Sequence, residues 1–159
     1  ANRPKLIETQ TSKTKTSFIP SINQNVDGLY VPVHIQDKEY KFLVDTGASD
    51  SYISRRSYEQ LDEKDRPPLQ HRSISAQLAD GSPLAIYGAI THEMKIGPNK
   101  GVITVLVADV SSDGILGLDN LTRMGASIDL TNFQLTTKWG KVECKNESGE
   151  RLSCRITAS

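Results

Sequence analysis

The stretch "FLVDTGASDSYIS" at residues 42–54 decides the fold, because it sets one acidic side chain at the end of an apolar run. Residues 42–44 have the composition of a strand directed toward a core, and Asp45 follows them directly. A lone carboxylate there is costly unless something pairs with it or uses it. Thr46 adds a hydroxyl, and Gly47 lets the backbone approach closely or adopt a positive φ. No matching second copy of this pattern occurs in the sequence.

Asp-Thr-Gly has a structural and a functional interpretation. A three-residue match is weak by itself, and an ordinary Asx-type turn that closes a hairpin accounts for it. The apolar strand before Asp45 and the Ala48-Ser49 pair after it favour a functional carboxylate.

Bulk composition limits the classes of protein that the chain can belong to. Its 159 residues suit one domain with a substantial core. Nineteen Lys and Arg balance nineteen Asp and Glu, so the formal net charge is zero. Dedicated nucleic-acid and membrane-surface binders show a basic excess, so we expect neither partner. No apolar stretch approaches membrane-spanning length, and the N-terminus has no apolar signal-peptide core.

The metal-binding residue types are few and scattered. Cys144 and Cys154 are the only cysteines, no CxxC motif is present, and His34, His71 and His92 lie far apart. This spacing indicates no zinc site, so we expect no metal and no cofactor. Reduced thiols in a cytosolic-type protein are the favoured state of the cysteines, with a cross-strand disulfide as the alternative.

The pattern along the chain predicts an all-β domain with two small helices. Residues 1–25 are polar and predict a flexible leader, and residues 26–159 form the predicted domain. The Asp-Gly pair of "DGSP" predicts a hairpin. Short apolar or alternating runs predict strands at 29–35, 40–44, 73–79, 84–90 and 102–110, with further strands within 133–156. Helices are predicted at 54–61, with Ser54 as the N-cap, and at 118–125, ended by Gly125.

Three motifs in order carry a resemblance to a known family. "LVDTGAS" is followed by "ADGSPLAIYG" and then by "GILGLDNLTRMGASIDL", all within residues 29–130. Together they resemble the retropepsins, the aspartic proteases of retroviruses and LTR retrotransposons. "DTGAS" with "ILGLDNL" is most similar to the gypsy-type retrotransposon proteases. The resemblance implies a closed all-β barrel with a flap hairpin, one or two short helices, and a homodimer.

The resemblance also implies roles for individual residues. Each subunit supplies one aspartate, so Asp45 would meet its copy across a two-fold axis and activate a water between the two carboxylates. Thr46 would hydrogen-bond across the dimer, Gly47 would offer its carbonyl to the substrate backbone, and Ala48 completes the active-site turn. The substrate would be an extended peptide or polyprotein bound as an added strand. The implied substrate-binding residues are Ser49, Asp50, Asp80, Gly81, Ser82 and Ile115.

The sequence departs from the retroviral pattern in two places. Ser49 and Leu118 occupy the positions of an Asp–Arg ion pair, which is therefore absent, and Asp50 and Asp119 are candidates for another pairing. The retroviral chain usually ends just after the strand that matches "ASIDL", and that end builds the dimer sheet. Here residues 131–159 continue as predicted extra C-terminal strands, so the dimer interface is the less certain part of the resemblance.

The sequence thus predicts a homodimeric aspartic endopeptidase that processes a retrotransposon or retrovirus-like polyprotein, in the cytoplasm or within virus-like particles. Two alternatives remain open. One is a domesticated retropepsin-like domain that dimerises or binds partners without catalysis. The other is a ubiquitin-shuttle type retropepsin that acts on cellular proteins. A non-aspartic hydrolase is unsupported, because no GxSxG motif is present and neither cysteine lies in a nucleophile motif.

Overall fold

A closed six-stranded barrel forms the body of the computed structural model, which describes residues 27–78 and 80–152. The predicted leader, residues 1–25, and Cys154 lie outside the described residues. The strands are β1 Tyr30–Ile35, β2 Lys38–Val44, β3 Tyr52–Ser54, β4 Ala76–Gln77, β5 Pro83–Leu84, β6 Ile86–Ile96, β7 Asn99–Ala108, β8 Gly114–Leu116, β9 Ser127–Asp129, β10 Gln134–Thr137 and β11 Gly140–Glu143. The helices are α1 Arg55–Glu59 and α2 Leu118–Arg123. Around the barrel the order is β1-β2-β8-β3-β7-β6, which confirms the predicted all-β barrel fold.

The first hairpin sets the register of β2, the strand that leads to Asp45. β1 and β2 pair antiparallel up to Ile35 opposite Lys38, across a turn of Gln36 and Asp37. Both turn residues have positive φ, 53° and 65°, as the tight two-residue hairpin turn requires. Strand β2 therefore begins earlier than the predicted span 40–44, because so short a turn leaves Lys38 free to pair.

The predicted "DGSP" hairpin is present, but the predicted strand 73–79 is reduced to β4, and the predicted strand 84–90 is divided between β5 and the start of β6. β4 and β5 have two residues each and form a separate two-stranded sheet. The predicted strand 73–79 fails because its apolar residues have little to pack on: Ile74 is 37% exposed and Leu78 is 45% exposed. An isolated hairpin without a covering layer pairs weakly.

The barrel interior is the main core. Val31, Val33 and Ile35 alternate inward from β1 and are fully buried. A second, smaller cluster covers the outer face of β7 near its end, where it includes Leu106 and Ala108. This cluster does not extend along the whole of β7, so Val102 is 60% exposed. The prediction that the run 102–110 is buried on both sides is therefore wrong at its start.

The C-terminal strands belong to the same core. β9, β10 and β11 form a three-stranded sheet in the order β11-β10-β9, and Leu135 of β10 is fully buried in the main core. Tyr30 and Lys145 exchange two backbone hydrogen bonds of 2.8 Å, which join this segment to β1. Cys144 has a free, buried thiol, and burial raises its pKa to about 11.

Both helices are present and shorter than predicted. The Ser54 hydroxyl accepts from the Ser57 amide at 3.0 Å, as an N-cap does. Gly125 follows α2 with φ of 61°, the left-handed conformation that ends a helix. No helix among the described residues is long and apolar enough to cross a membrane.

Candidate active site

Asp45 lies directly after β2, half-buried beside the end of β8. The two strands run parallel, with Val44 opposite Leu116. The Asp45 amide donates to the Leu116 carbonyl at 3.0 Å. Parallel pairing brings the ends of both strands to one edge, so the turn at Asp45 and the turn at Gly117 are neighbours in space although they lie far apart in the chain.

The turn itself orients one carboxylate oxygen. The Gly47 amide donates to Asp45 Oδ1 at 2.9 Å, and the Ala48 amide donates to the Asp45 carbonyl at 3.1 Å. A Cβ on Gly47 would lie 3.2 Å from Oδ1, tighter than most real contacts. This is the Asx-type turn that the sequence suggested, so the structural and functional interpretations are compatible. The other oxygen, Oδ2, has no hydrogen-bond partner within the described part of the chain.

The residues after the turn are fastened to the start of α2. The Ala48 carbonyl accepts from the Leu118 amide at 2.8 Å, and the Ser49 carbonyl accepts from the Asp119 amide at 3.2 Å. Gly117 makes this approach possible, because a Cβ there would lie 2.2 Å from a backbone oxygen of residue 50. Only glycine permits so close a contact between two backbones.

A partly buried polar network lies where the retroviral pattern has an ion pair. The Ser51 hydroxyl donates to Asp119 Oδ1 at 2.6 Å and accepts from the Gly117 amide at 2.9 Å. Asn120, itself buried, donates from its side chain to the Thr104 carbonyl at 3.0 Å. The network therefore joins the segment after the Asp45 turn to α2 and to β7.

The two candidates for a replacement pairing behave differently. Asp119 pairs with Ser51, whereas the Asp50 carboxylate has only a 3.5 Å contact from the Ser49 hydroxyl. Neither makes an ion pair within the described residues. Burial, with smaller contributions from the Asp50 and Asp119 carboxylates, raises the pKa of the neighbouring Tyr52 phenol above its ordinary value.

Ile115 lies between the strand that leads to Asp45 and the base of the flap hairpin. It pairs with Leu43 on one side and Tyr52 on the other, and its side chain packs against the second apolar cluster with Leu84 and Ile86 from the base of the flap. An apolar wall thus runs from β8 to the flap base.

The flap tip is a self-contained turn. The Ser82 hydroxyl and amide donate to Asp80 Oδ1 at 2.5 and 2.9 Å, and the Gly81 amide donates to the Leu78 carbonyl at 2.9 Å. The hydroxyl hydrogen bond from Ser82 lowers the pKa of Asp80 below its ordinary value. Within residues 27–78 and 80–152, no hydrogen bond joins the tip to the turn at Asp45.

The structure therefore brings together residues 45–49, the start of α2 and Ile115, and leaves the tip residues 80–82 apart from them. Thr46 and Ser49 are exposed, and Asp50 is partly exposed. Ser51 and Asn120 were not predicted. Their signal in the sequence is a polar residue at the edge of an apolar strand or helix face, which does not by itself identify a partner. Among the described residues no group of His, Cys, Asp and Glu is placed to hold a metal ion.

Comparisons with known proteins identify the family. The model of the aspartyl protease family Asp_protease_2 matches residues 31–120. The chain is 27% identical to the retroviral protease-like domain of Ddi1 from Leishmania major, with a TM-score of 0.65, covering 77% of this chain and 98% of that one. The EIAV protease, solved with the inhibitor HBY-793, is 24% identical with a TM-score of 0.55, covering 68% of this chain and 99% of that one, and shows the shared fold. The chain accordingly belongs to the aspartyl protease family and has the retropepsin-like fold.

Proposed function

We propose that the chain is a homodimeric aspartic endopeptidase in which Asp45 from each of two copies forms the catalytic pair. The observation that carries the proposal is the state of that carboxylate: Oδ1 is held by the Gly47 amide, while Oδ2 has no partner among the described residues. One oriented and one available oxygen suit a group that must exchange protons with a water and a substrate.

The second carboxylate of the pair has to come from another chain. Asp113-Gly114 also lies beside an apolar strand, but it precedes β8, at the end opposite to Leu116, and Ile115 follows it where Asp45 has a Thr-Gly element. The Asp113 carboxylate accepts from the Lys41 amide at 2.9 Å and lies 3.5 Å from the Arg56 guanidinium. Asp113 is thus a structural residue, which supports a two-fold arrangement with one Asp45 from each copy.

The edge strand β9 is a suitable surface for the second copy. Its inner edge pairs with β10, and no strand within the described residues pairs with its outer edge. An unpaired strand edge is a template for pairing with another chain. Two exposed leucines add apolar surface near this strand in the sequence. Leu118 precedes β9, at the start of α2, and Leu130 follows β9 directly. The extra C-terminal strands lie on the inner edge and leave the outer edge open.

The chemistry follows from pairing two carboxylates at contact distance. They share one proton, because two like charges so close cannot both ionise easily. The ionised group takes a proton from a water between them as that oxygen attacks the scissile carbonyl carbon, while the protonated group donates to the carbonyl oxygen. The tetrahedral intermediate collapses with proton transfer to the leaving amine and cleavage of the C–N bond. No covalent enzyme intermediate is required.

The remaining predicted residues have roles around this pair. Thr46, exposed beside the carboxylate, would contact the other copy, and the Gly47 carbonyl, Ser49 and Asp50 would contact the substrate near the scissile bond. The flap turn Asp80, Gly81 and Ser82 would close over an extended peptide, and Ile115 with the apolar wall would receive a side chain.

The test is cleavage of a mixed peptide library, with and without pepstatin, by the wild-type chain and by Asp45→Asn. Asp37→Asn is the matched control, because it removes an exposed carboxylate at the β1–β2 turn and asparagine tolerates the positive φ there. We expect pepstatin-sensitive cleavage by the wild type and the control, and none by Asp45→Asn. A folded wild type that dimerises but cleaves nothing supports the partner-binding alternative instead.

A second candidate differs in the substrate only. The likeness to the retroviral protease-like domain of Ddi1 is equally compatible with the ubiquitin-shuttle type alternative, a retropepsin that acts on cellular proteins. To separate the two candidates, active enzyme is incubated with the Asp45→Asn chain in one reaction and with a cell lysate in another. The new N-termini formed in each reaction are then sequenced. Selective cleavage of the inactive chain supports precursor processing, and selective cleavage of a few lysate proteins supports the second candidate.

A further inference from the structure

The flap leaves the barrel at Tyr87. The pairing of β6 with β7 contains a bulge between Ile86 and Gly88, and Tyr87 is the residue that falls within it. The chain preceding this bulge runs back through Ala85 to the flap hairpin, which is a separate sheet. The tyrosine is 39% exposed, so burial alone does not hold it.

Two other elements hold this tyrosine. Its hydroxyl donates to Asp109 Oδ2 at 2.7 Å, and the guanidinium carbon of Arg55, from α1, lies 4.9 Å from the ring centroid. Asp109, just after β7, also donates from its amide to the Ala85 carbonyl at 3.1 Å. Asp109 therefore binds the flap base twice, once through the backbone and once through the side chain. The hydrogen bond to its carboxylate raises the pKa of the Tyr87 phenol.

The other arm of the flap is held differently. Gln70 and Ala89 exchange two backbone hydrogen bonds of 2.8 Å, and residues 71–75, which lead from there to β4, belong to no strand. A Cβ on Gly88 would lie 2.8 Å from the Gln70 carbonyl oxygen, so the backbones are in close contact at this point. The arm that leads into the flap, residues 70–75, is thus fixed by main-chain bonds. The arm that leads out of it, residues 85–88, also depends on the side chains of Tyr87, Arg55 and Asp109.

We propose that Tyr87 is a positioning residue of the flap, and that with Arg55 and Asp109 it forms an anchor that sets the angle between the flap hairpin and the barrel. The inference rests on the proposed protease function. Closing the flap over a peptide orders the hairpin, and a fixed base leaves fewer conformations to be lost on closure. Loosening the base therefore weakens peptide binding, while the carboxylate chemistry at Asp45 is unaffected.

The experiment compares Tyr87→Phe, which keeps the ring over Arg55 but loses the bond to Asp109, with Asp109→Asn. Tyr58→Phe is the matched control, because Tyr58 also lies beside an arginine, Arg66 at 5.5 Å, and donates to the Pro67 carbonyl at 2.8 Å, a bond that involves neither Tyr87 nor Asp109. For Tyr87→Phe we expect KM to rise about three- to tenfold, the effect of one lost hydrogen bond, with little change in kcat. The control keeps the wild-type KM.

Two readouts do not depend on activity. Hydrogen exchange at the Asp109 and Ala89 amides reports the fixing of each arm, and we expect Tyr87→Phe to speed exchange at Asp109 and not at Ala89. The titration of the Tyr87 phenol is isolated by subtracting the signal of the corresponding Tyr87→Phe chain. We expect the phenol to have a lower pKa in Asp109→Asn than in the wild type. Unchanged exchange at Asp109 together with an unchanged KM overturns the anchor. A wild type that cleaves no peptide overturns the proposed function instead, and the exchange result still decides the anchor.

Discussion

At the scale of single residues, the candidate site depends on backbone more than on charge. Asp45 is oriented by one amide of its own turn, and the two glycines, Gly47 and Gly117, admit the close contacts that hold that turn. The first glycine was identified from the sequence because it adjoins the aspartate. The role of the second became clear only when its contact with residue 50 was known.

Ala48 offers a test of the proposed carboxylate pair. In pepsin-like relatives this position is commonly Ser or Thr, whose hydroxyl hydrogen-bonds the catalytic carboxylate and favours its charged form. We expect Ala48→Ser to move the acid limb of the kcat/KM profile to lower pH by about 0.5 to 1 unit, the equivalent of one hydrogen bond, without abolishing activity. The measurement is kcat/KM against pH for both forms. An unshifted or alkaline-shifted acid limb, with the dimer intact, contradicts the expectation.

Gly117 offers a test of the packing behind the turn. Because a Cβ there would lie 2.2 Å from a backbone oxygen, Gly117→Ala forces two backbones apart, and we expect a loss of about 1–3 kcal/mol in the free energy of unfolding. Gly149→Ala is the control: that residue has φ of 85° and open space around it, so only the backbone strain of about 1 kcal/mol applies. Urea denaturation measures both. Equal losses would show that the close contact at Gly117 is unimportant.

At the scale of elements, the site is a junction between β2, β3, β8 and α2. Parallel pairing of β2 with β8 puts the two turns side by side, and the Ser51–Asp119 bond fastens the strand after the first turn to the helix after the second. The retroviral pattern uses an ion pair near this place, and here a hydroxyl and a carboxylate take over the connection.

The Ser51 hydroxyl should matter more than its small size suggests. Ser51→Ala leaves the buried Gly117 amide without its acceptor and removes one of the three donors to the Asp119 carboxylate, so we expect a loss of about 1–3 kcal/mol of stability. Ser51→Thr keeps the hydroxyl and should retain most of the stability. Thermal and urea unfolding of the two variants make the comparison. If Ala and Thr are equally destabilising, the effect is one of volume and not of hydrogen bonding.

The flap should be the element that changes most on binding. Its two-residue strands and exposed tip predict fast hydrogen exchange at residues 80–82 in the free protein and strong protection with a peptide inhibitor. The pKa of Asp80 is lowered by its hydrogen bond from Ser82, so this bond stabilises the turn fully at pH values above the ordinary Asp pKa of about 3.9. The stabilisation is lost as the pH falls through the lowered pKa. Equal protection in free and bound protein at neutral pH would count against a closing flap.

At the scale of the whole molecule, one chain provides half of the proposed site. The fold buries its C-terminal strands on one side of β9 and leaves the other edge open, so the extension beyond the retroviral end point does not occupy the surface that a second copy would need. We therefore expect the dimer interface to include the open edge of β9 and the leucines next to it, Leu118 and Leu130.

Specific activity should fall on dilution, because a monomer has a single Asp45. We expect Leu130→Glu to raise the dimer dissociation constant by about tenfold or more, since it places a charge where apolar contact is proposed. Val102→Glu is the control, because Val102 on β7 is 60% exposed and Leu130 is 62% exposed. It should leave the dissociation constant unchanged. Sedimentation at several concentrations, together with activity, gives both quantities. If specific activity stays constant down to concentrations at which only monomer sediments, activity does not require the dimer and the proposed two-fold site is ruled out.

The sequence by itself determined the parts that neighbouring residues specify: the Asp45 turn, the Ser54 N-cap, the left-handed Gly125, the flap turn and the alternation of β1. These features depend on φ, on side-chain size and on hydrogen bonds within a few positions. Tertiary structure alone decided the strand lengths of the flap, the pairing of Ser51 with Asp119 and the anchoring of Tyr87. Each of these joins segments far apart in the chain, and their contacts exist only after barrel closure has set the register and excluded water.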